Sequence, residues 1–486
     1  MDAEVVVDAG DPVGVIDPNV YGHFIEHLGR CIYGGVWVGE NSSIPNLRGL
    51  RRDVLEAVRA IGPPVIRWPG GNFASGYHWE DGVGPREERP LRPNLAWGGN
   101  ESNQFGTDEF IDFCREVGAE PYICVNVGSS TPEEAAHWVE YCNSNGTGEY
   151  ARRRVENGHP EPFRVRYWGI GNEMYGPWQI GYMNATEYAD AALRFALAMR
   201  GADPTIRLVA VGWYGHDGWN RRVLEVAGEH IDYLSVHRYY GTQGRLDDYY
   251  TVVAYPQEAE GGLRNLTQLI DEVMAEKPGR TVKIALDEWH VWRPAPQYFM
   301  DALFAAGVFH VFHRLCNSVT MANLALLVNT PPDGINAIVA TDQGGLSLKP
   351  VYLAFKLYTE NTGEIALRTT TTVGAYRAGR VGLDQVPFLD CSATIEGDGA
   401  TLYLAAVNRH RHKAVRCRIE LRNFTPQPQC TVSELYAPSP DLLVPPNPLE
   451  ITNKTVNVQE APFFYTFPPH SATILKFTAD TGSPAP

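Results

Sequence analysis

The 486-residue sequence is poor in positive charge: 41 Lys and Arg stand against 57 Asp and Glu, a net charge of −16. With no basic surplus to neutralise phosphates, nucleic acid is excluded as the main partner. No apolar run approaches the ~20 residues that a membrane-crossing helix needs, so no membrane partner is expected. The opening Met1-Asp2-Ala3-Glu4-Val5-Val6-Val7-Asp8 is acidic, and its apolar stretch is too short for a signal-peptide core. A soluble cytoplasmic protein is therefore expected. None of the eight cysteines forms a Cys-x-x-Cys pair, and several lie in apolar segments, as Cys124 does in Tyr122-Ile123-Cys124-Val125. They read as buried free thiols. No Gly-x-Gly-x-x-Gly follows any predicted strand, which argues against a dinucleotide-binding sheet. His23-Phe24-Ile25-Glu26-His27 is not His-Glu-x-x-His, because the Glu does not follow the first His. No metal site and no cofactor are expected.

What is present is a regular alternation of strands and helices. Short apolar, β-branched runs fall at 20–24, 65–68, 121–127, 165–171, 208–212, 231–237, 282–287 and 322–329. Helical patterns lie between them at 50–61, 107–117, 131–142, 186–199, 221–226, 263–275, 298–315 and 352–359. Thr107 reads as an N-cap, and Thr131-Pro132-Glu133-Glu134 combines an N-cap, a first-turn Pro and two acids. Eight strands, each followed by a helix, predict an α/β fold, a (β/α)8 barrel over 16–360. Beyond it the texture changes to short β-branched runs at 369–373, 400–407, 414–421, 430–435, 455–458 and 472–477. These predict a C-terminal antiparallel β-sandwich over 361–486, joined by a strand from 1–15. The Pro-rich tail 481–486 is expected to fray.

In a barrel of this kind the active site lies at the C-terminal strand ends. Those ends carry Glu26, Asn72, Asn126, Asn172-Glu173, Trp213-Tyr214, His237 with Tyr239, Glu288-Trp289 and Asn329. The set holds carboxylates, amides, a His and aromatics, and no phosphate loop. Two Glu that converge only through the fold, Glu173 after Gly171-Asn172 and Glu288 after Asp287, are what cleavage of a glycosidic bond requires. Amides and carboxylates suit sugar hydroxyls, and aromatic faces suit sugar C–H surfaces.

These segments resemble glycoside hydrolase family 51, the intracellular α-L-arabinofuranosidases. The resemblance rests on Tyr21-Gly22-His23-Phe24-Ile25-Glu26-His27-Leu28-Gly29-Arg30-Cys31-Ile32-Tyr33, Arg67-Trp68-Pro69-Gly70-Gly71-Asn72-Phe73, Tyr77-His78-Trp79-Glu80-Asp81, Trp168 to Met174, and Asp287-Glu288-Trp289. It implies a retaining hydrolase that needs no cofactor and forms a homo-oligomer, often a hexamer. It implies Glu173 as general acid/base, Glu288 as nucleophile and Tyr239 as the hydroxyl that orients Glu288. By the same resemblance Glu26, Asn72 and Asn172 bind sugar hydroxyls, Arg67 braces the carboxylates, and Trp97 and Trp292 contact the leaving-group side; His237, from its place at a strand end, is expected to bind substrate. Like-charge repulsion from Glu288 is expected to keep Glu173 protonated.

Some positions depart from the family pattern. Leu326 aligns with a glutamine that contacts the furanose in much of the family, and a sugar hydroxyl facing Leu loses a partner at a cost of about 1–3 kcal/mol. The loop 213–219 is longer and more aromatic, His290 replaces an Asn, and Thr330-Pro331-Pro332-Asp333-Gly334 is unusual. The expected activity is release of terminal α-L-arabinofuranosyl residues from arabinan or arabinoxylan oligosaccharides. The alternatives are the same mechanism on a β-D-galactofuranoside, β-D-xyloside or β-glucan, and a non-catalytic carbohydrate binder.

Overall fold

The computed structural model describes residues 1–241, 248–292, 297–329, 337–342, 345–442, 449–458 and 462–480. Its centre is a closed barrel of eight parallel strands: Gly22–Phe24, Val65–Trp68, Glu120–Val125, Tyr167–Ile170, Arg207–Val211, Tyr233–Tyr240, Lys283–Val291 and Val319–Ala325. They are called the first to eighth strands below. Each pairs in parallel with its neighbours in chain order, and the eighth closes on the first. The first strand is shorter than the apolar run predicts, because Pro18–Tyr21 forms a 3-10 turn capped by Asp17, whose carboxylate accepts the Asn19 N–H. The eighth ends at Ala325, so Leu326 to Asn329 leave the ladder.

Side chains alternate across each strand. Ile66, Trp68, Ile123 and Trp168 point outward and pack under the helices. Val65, Tyr122, Tyr167, Val209, Tyr233, Ala285 and Met321 point inward and form one layer that plugs the barrel. Two residues further along, the inward positions change from apolar to polar: Arg67, Ser235 and Asp287 stand above this plug. The apolar layer thus makes the floor on which the site is built.

The helix Pro132–Asn143 starts as predicted, with Thr131 Oγ1 accepting the Glu134 N–H at 3.2 Å. Thr107 is the first helical residue rather than the cap. Gly106 precedes it and donates its N–H to Glu109 at 2.8 Å. Asn184 caps the helix Ala185–Ala202. The helix Glu149–Glu156 was not predicted: only Ala151 and Arg154 are buried, so it shows almost no apolar period.

The C-terminal residues form a nine-stranded sheet that includes the N-terminal strand Asp2–Val15. Pairing is antiparallel throughout, save that Asp2–Val15 runs parallel to Val415–Arg422. In Thr401–Asn408 the period of two is plain. Leu402, Leu404 and Ala406 enter the sheet's own core, while Tyr403, Ala405 and Val407 pack into the barrel's. A buried ion cluster joins the layers. Asp390 on the sheet accepts from Arg409 at 2.8 Å and from Arg314 of the helix Phe299–Arg314 at 3.1 Å. His310 of the same helix reaches Asp390 at 3.2 Å. All eight cysteines are buried and unpaired. Among the described residues no helix is long and apolar enough to cross a membrane.

Candidate active site

The inward polar residues converge at the C-terminal mouth of the barrel. Arg67 is buried and reaches three neighbours. Its Nη1 donates to Glu288 Oε1 at 2.6 Å, its Nη2 donates to Asn172 Oδ1 at 2.6 Å, and its Nε lies 3.7 Å from Asp287 Oδ2. Simple alternation would send Asp287 and Glu288 to opposite sides of the seventh strand. Between the pairs Ser235–Ala285 and His237–Glu288 the seventh strand carries one residue more than the sixth, a bulge that breaks that alternation and lets both carboxylates face inward. Asp287 then accepts from Tyr122 OH at 2.7 Å and Ser235 Oγ at 2.5 Å. Glu288 Oε2 accepts from Tyr239 OH at 2.7 Å.

Glu173 arrives by a different device. It lies two residues after Gly171 and has a left-handed backbone, φ 43°, which is uncommon for a residue with a side chain. The turn aims its carboxylate across the mouth. His237 Nδ1 bonds Glu173 Oε1 at 2.9 Å, Tyr175 OH donates to the same oxygen at 3.3 Å, and Trp178 Nε1 donates to Oε2 at 2.7 Å. One oxygen of Glu173, one of Glu288 and a ring nitrogen of His237 all lie within 4.8 Å of one another.

A cavity of about 560 Å³ opens between the two carboxylates. Glu26, Asn72, Trp97, Tyr239 and Trp292 line it, with Phe24, Leu28 and Leu326 forming an apolar side. Glu26 Oε1 accepts the Phe73 N–H at 3.0 Å and Trp97 Nε1 at 2.9 Å. Gly71 makes this possible, because a Cβ there would stand 2.6 Å from the Glu26 carboxylate. Trp292 meets Tyr239 edge-on at 5.2 Å. Arg67 and His237 stand behind the wall and hold the carboxylates, and Asn172, also behind it, holds Arg67 rather than lining the cavity.

The electrostatics correct one expectation. Burial pushes the Glu173 carboxyl up, but the hydrogen bond from His237, its charge, and the bonds from Trp178 and Tyr175 outweigh it and lower the pKa. Burial works against a charged His237, yet Glu288, Asp287 and Glu173 surround it and raise it to about 10. In the free site the proton therefore rests on His237, and Glu173 is ionised. Repulsion from Glu288 does not decide the matter, because an imidazolium lies closer. Burial also opposes charge on Asp287, but Arg67, His237 and Ser235 lower it to about 2. Glu26 goes the other way: burial, with Glu288 nearby, raises it to about 7 against the bonds from Phe73 and Trp97. Burial and Glu288 push Tyr239 well above its usual value, so it stays a donor.

Of the residues named from the sequence, Glu26, Asn72, Trp97, Glu173, Tyr239, Glu288 and Trp292 line this cavity and Arg67, Asn172 and His237 stand behind it, whereas Asn126 donates to the Tyr77 carbonyl, Asn329 to the Arg30 carbonyl, and Trp289 packs among Phe304, Phe309 and Phe355. Sequence reasoning missed Tyr175 and Trp178, the two aromatic donors to Glu173. The available signal was their closeness in sequence to Glu173, with Gly176-Pro177 turning the chain back. It also missed the ionic role of Asp287, which read as a plain strand residue. His27 bonds Glu101 at 2.8 Å and accepts from Trp68 Nε1 at 3.0 Å. His23 is buried against Phe355, and burial lowers it to about 3. His290 is buried and accepts the Val291 N–H, away from the cavity. The unusual segment 330–334 lies outside the described residues.

A barrel with paired carboxylates across a sugar-sized mouth defines a glycoside hydrolase. Residues 57–256 match the family described as "Alpha-L-arabinofuranosidase 1 domain", and 287–471 match "Alpha-L-arabinofuranosidase C-terminal domain". The chain superposes on an α-L-arabinofuranosidase from Thermotoga maritima in an arabinose complex with TM-score 0.91 and 43% identity, covering 98% of this chain and 99% of that one. It is 34% identical to alpha-L-arabinofuranosidase C of Emericella nidulans, over 96% of each chain. It is also 34% identical to an intracellular exo-α-(1→5)-L-arabinofuranosidase of Halalkalibacterium halodurans, over 87% of this chain and 88% of that protein. The chain belongs to the α-L-arabinofuranosidases of glycoside hydrolase family 51.

Proposed function

We propose that this arabinofuranosyl-releasing hydrolase acts by double displacement with retention, with Glu288 as nucleophile and Glu173 as acid/base. The approach of their oxygens to within 4.8 Å carries the reading. Retaining enzymes hold the pair about 5–5.5 Å apart, whereas inverting enzymes leave room for a water between them. Glu288 attacks the anomeric carbon while the bond to the leaving oxygen breaks, and Glu173 gives that oxygen a proton. Glu173 then takes a proton from water as the water displaces Glu288. Tyr239 and Arg67 hold the attacking carboxylate, Glu26 and Asn72, which line the cavity, take the sugar hydroxyls, and Asn172 holds Arg67 from behind the wall. Trp97 and Trp292 flank the leaving group. The cavity at the barrel mouth, with Phe24, Leu28 and Leu326 on one side, supports exo action on terminal residues of arabinan or arabinoxylan oligosaccharides. The barrel 16–360, the sheet domain 361–486 with 1–15, a cytoplasmic location and a homo-oligomer, a hexamer by family likeness, belong to the same proposal.

The apolar side formed by Phe24, Leu28 and Leu326 favours one second reading, a glycone with an extra carbon arm such as β-D-galactofuranose. Initial rates on para-nitrophenyl α-L-arabinofuranoside, β-D-galactofuranoside and β-D-xylopyranoside separate the two. The arabinofuranoside is expected to dominate, and the first sugar released is expected to keep its anomeric configuration by NMR. An inverted first product would refute the double displacement, and a dominant galactofuranoside rate would replace the glycone.

The proton on His237 has its own consequence. Glu173 and His237 share one proton, which leaves the pair only as His237 titrates near about 10. The acid therefore stays supplied far above the usual carboxyl range. In His237→Ala the only store is Glu173 itself. The alkaline limb of kcat/KM on an oligosaccharide is expected to move down by more than about one pH unit. An unmoved limb means that His237 does not supply the acid.

A further inference from the structure

The loop after the fifth strand takes no part in the reaction described above, yet it is built as a wall. The Trp213 ring lies parallel to Tyr175, with centroids 4.4 Å apart and planes 1° apart, and stacks on His216 at 3.5 Å and 17°. Two rings this close to one indole and parallel to it cannot share a face, so Tyr175 and His216 cover opposite sides of Trp213. Trp219 stands at right angles beneath both Tyr175 and Trp213. Asn220 clamps the turn, accepting the Trp213 N–H at 2.8 Å and donating to its carbonyl at 2.9 Å. The stack is held from below and turns its free edge outward.

That edge divides two spaces. Tyr175 and Trp213 line the catalytic cavity, and both also line a neighbouring open groove of about 660 Å³. The groove's remaining walls include Asn184, His216 and Asp217, with His216 and Asp217 exposed. The side of the site it occupies follows from Glu173. Tyr175 and Trp178 bond the two oxygens of the carboxylate that serves the leaving group, so whatever lies beyond Tyr175 lies on the leaving-group side. A ligand there meets aromatic edges, an imidazole, a carboxylate and an amide, which match the C–H rim and hydroxyls of an uncharged sugar.

We propose that this groove is a second leaving-group subsite, which binds the sugar one residue beyond the one that Glu173 protonates. Its C–H rim packs on the edge of the Tyr175–Trp213–His216 stack, and its hydroxyls bond Asp217 and His216. The inference rests on the assignment of Glu173 as acid/base. It makes the enzyme a reader of chain length as well as of the terminal sugar.

The test is a chain-length series of the cleaved glycoside, two, three and four sugars long, beside its para-nitrophenyl glycoside. In the unaltered enzyme kcat/KM is expected to rise about tenfold from two sugars to three and to level off at four. In His216→Ala and Asp217→Ala most of that rise is expected to disappear, so that the trisaccharide-to-aryl ratio falls. Asp217→Asn, which keeps a hydrogen-bonding side chain, is expected to retain part of it. A flat series in the unaltered enzyme, or a rise that survives in both alanine variants, overturns the subsite. Failure of the acid assignment reads out separately, because Glu173→Ala would then lose activity equally on aryl and sugar leaving groups while the chain-length rise persists.

Discussion

Glu288→Ala is expected to lose on the order of 10⁴-fold or more in kcat, the scale seen when a covalent nucleophile is removed. The reason lies in the geometry. Tyr239 at 2.7 Å and Arg67 at 2.6 Å hold one oxygen each, so the carboxylate is fixed before substrate arrives. No neighbouring group can replace it, because Asp287 is tied to Tyr122 and Ser235 below. The loss should fall on aryl and sugar leaving groups alike, since both require the same bond at the anomeric carbon. Binding should persist, because Glu26, Asn72 and Trp97 remain. Removing Glu288 also takes away a charge that helps hold the His237 proton, so the variant's midpoint of thermal unfolding belongs beside its rate. Glu288→Gln keeps the shape and offers Tyr239 and Arg67 an acceptor, and is expected to be equally inactive. Turnover near that of the unaltered enzyme in either variant would sink the nucleophile assignment.

Glu173→Ala is expected to behave differently. General acid catalysis contributes about 10²–10⁴-fold, and it matters most when the leaving oxygen is a poor one. Oligosaccharide cleavage should therefore fall by that order. An activated aryl glycoside departs without a proton, so its first step should be nearly spared. The second step then lacks its base, and the glycosyl-enzyme should accumulate as a burst followed by slow release. Azide, a nucleophile that needs no base, should speed that release and yield a glycosyl azide of retained configuration. Equal losses on both substrates with no burst and no azide effect would remove Glu173 from the acid/base role. Its bonds to Tyr175, Trp178 and His237 offer a control, since a collapsed site would disturb sugar binding as well.

Much of the architecture was legible because barrels write a local signal. The eight apolar runs are period-two strands whose inward positions change from core to site at their C-terminal ends. The errors fell where local signals compete. Val20 and Tyr21 look like strand residues, but Asp17 and Pro18 wind them into a turn. The strands Leu389–Ile395 and Phe463–Phe467 do not stand out in the sequence: the first carries Asp, Ser and Thr at every second position and is buried on both faces, and the second is five residues long.

The sequence by itself determined the eight barrel strands, the presence of a second sheet, and the carboxylates and amides at the strand ends, Glu26, Asn72, Glu173 and Glu288 among them. These follow from residue type and spacing along the chain. Only the tertiary structure decided where the proton rests and what walls the leaving-group side. His237 is 64 residues from Glu173, and its charge comes from three carboxylates that the closed barrel brings around it. The stack of Tyr175, Trp213 and His216 joins loops after two different strands. Interactions of this kind depend on distances through space in a low-dielectric interior, and no period along a chain encodes them.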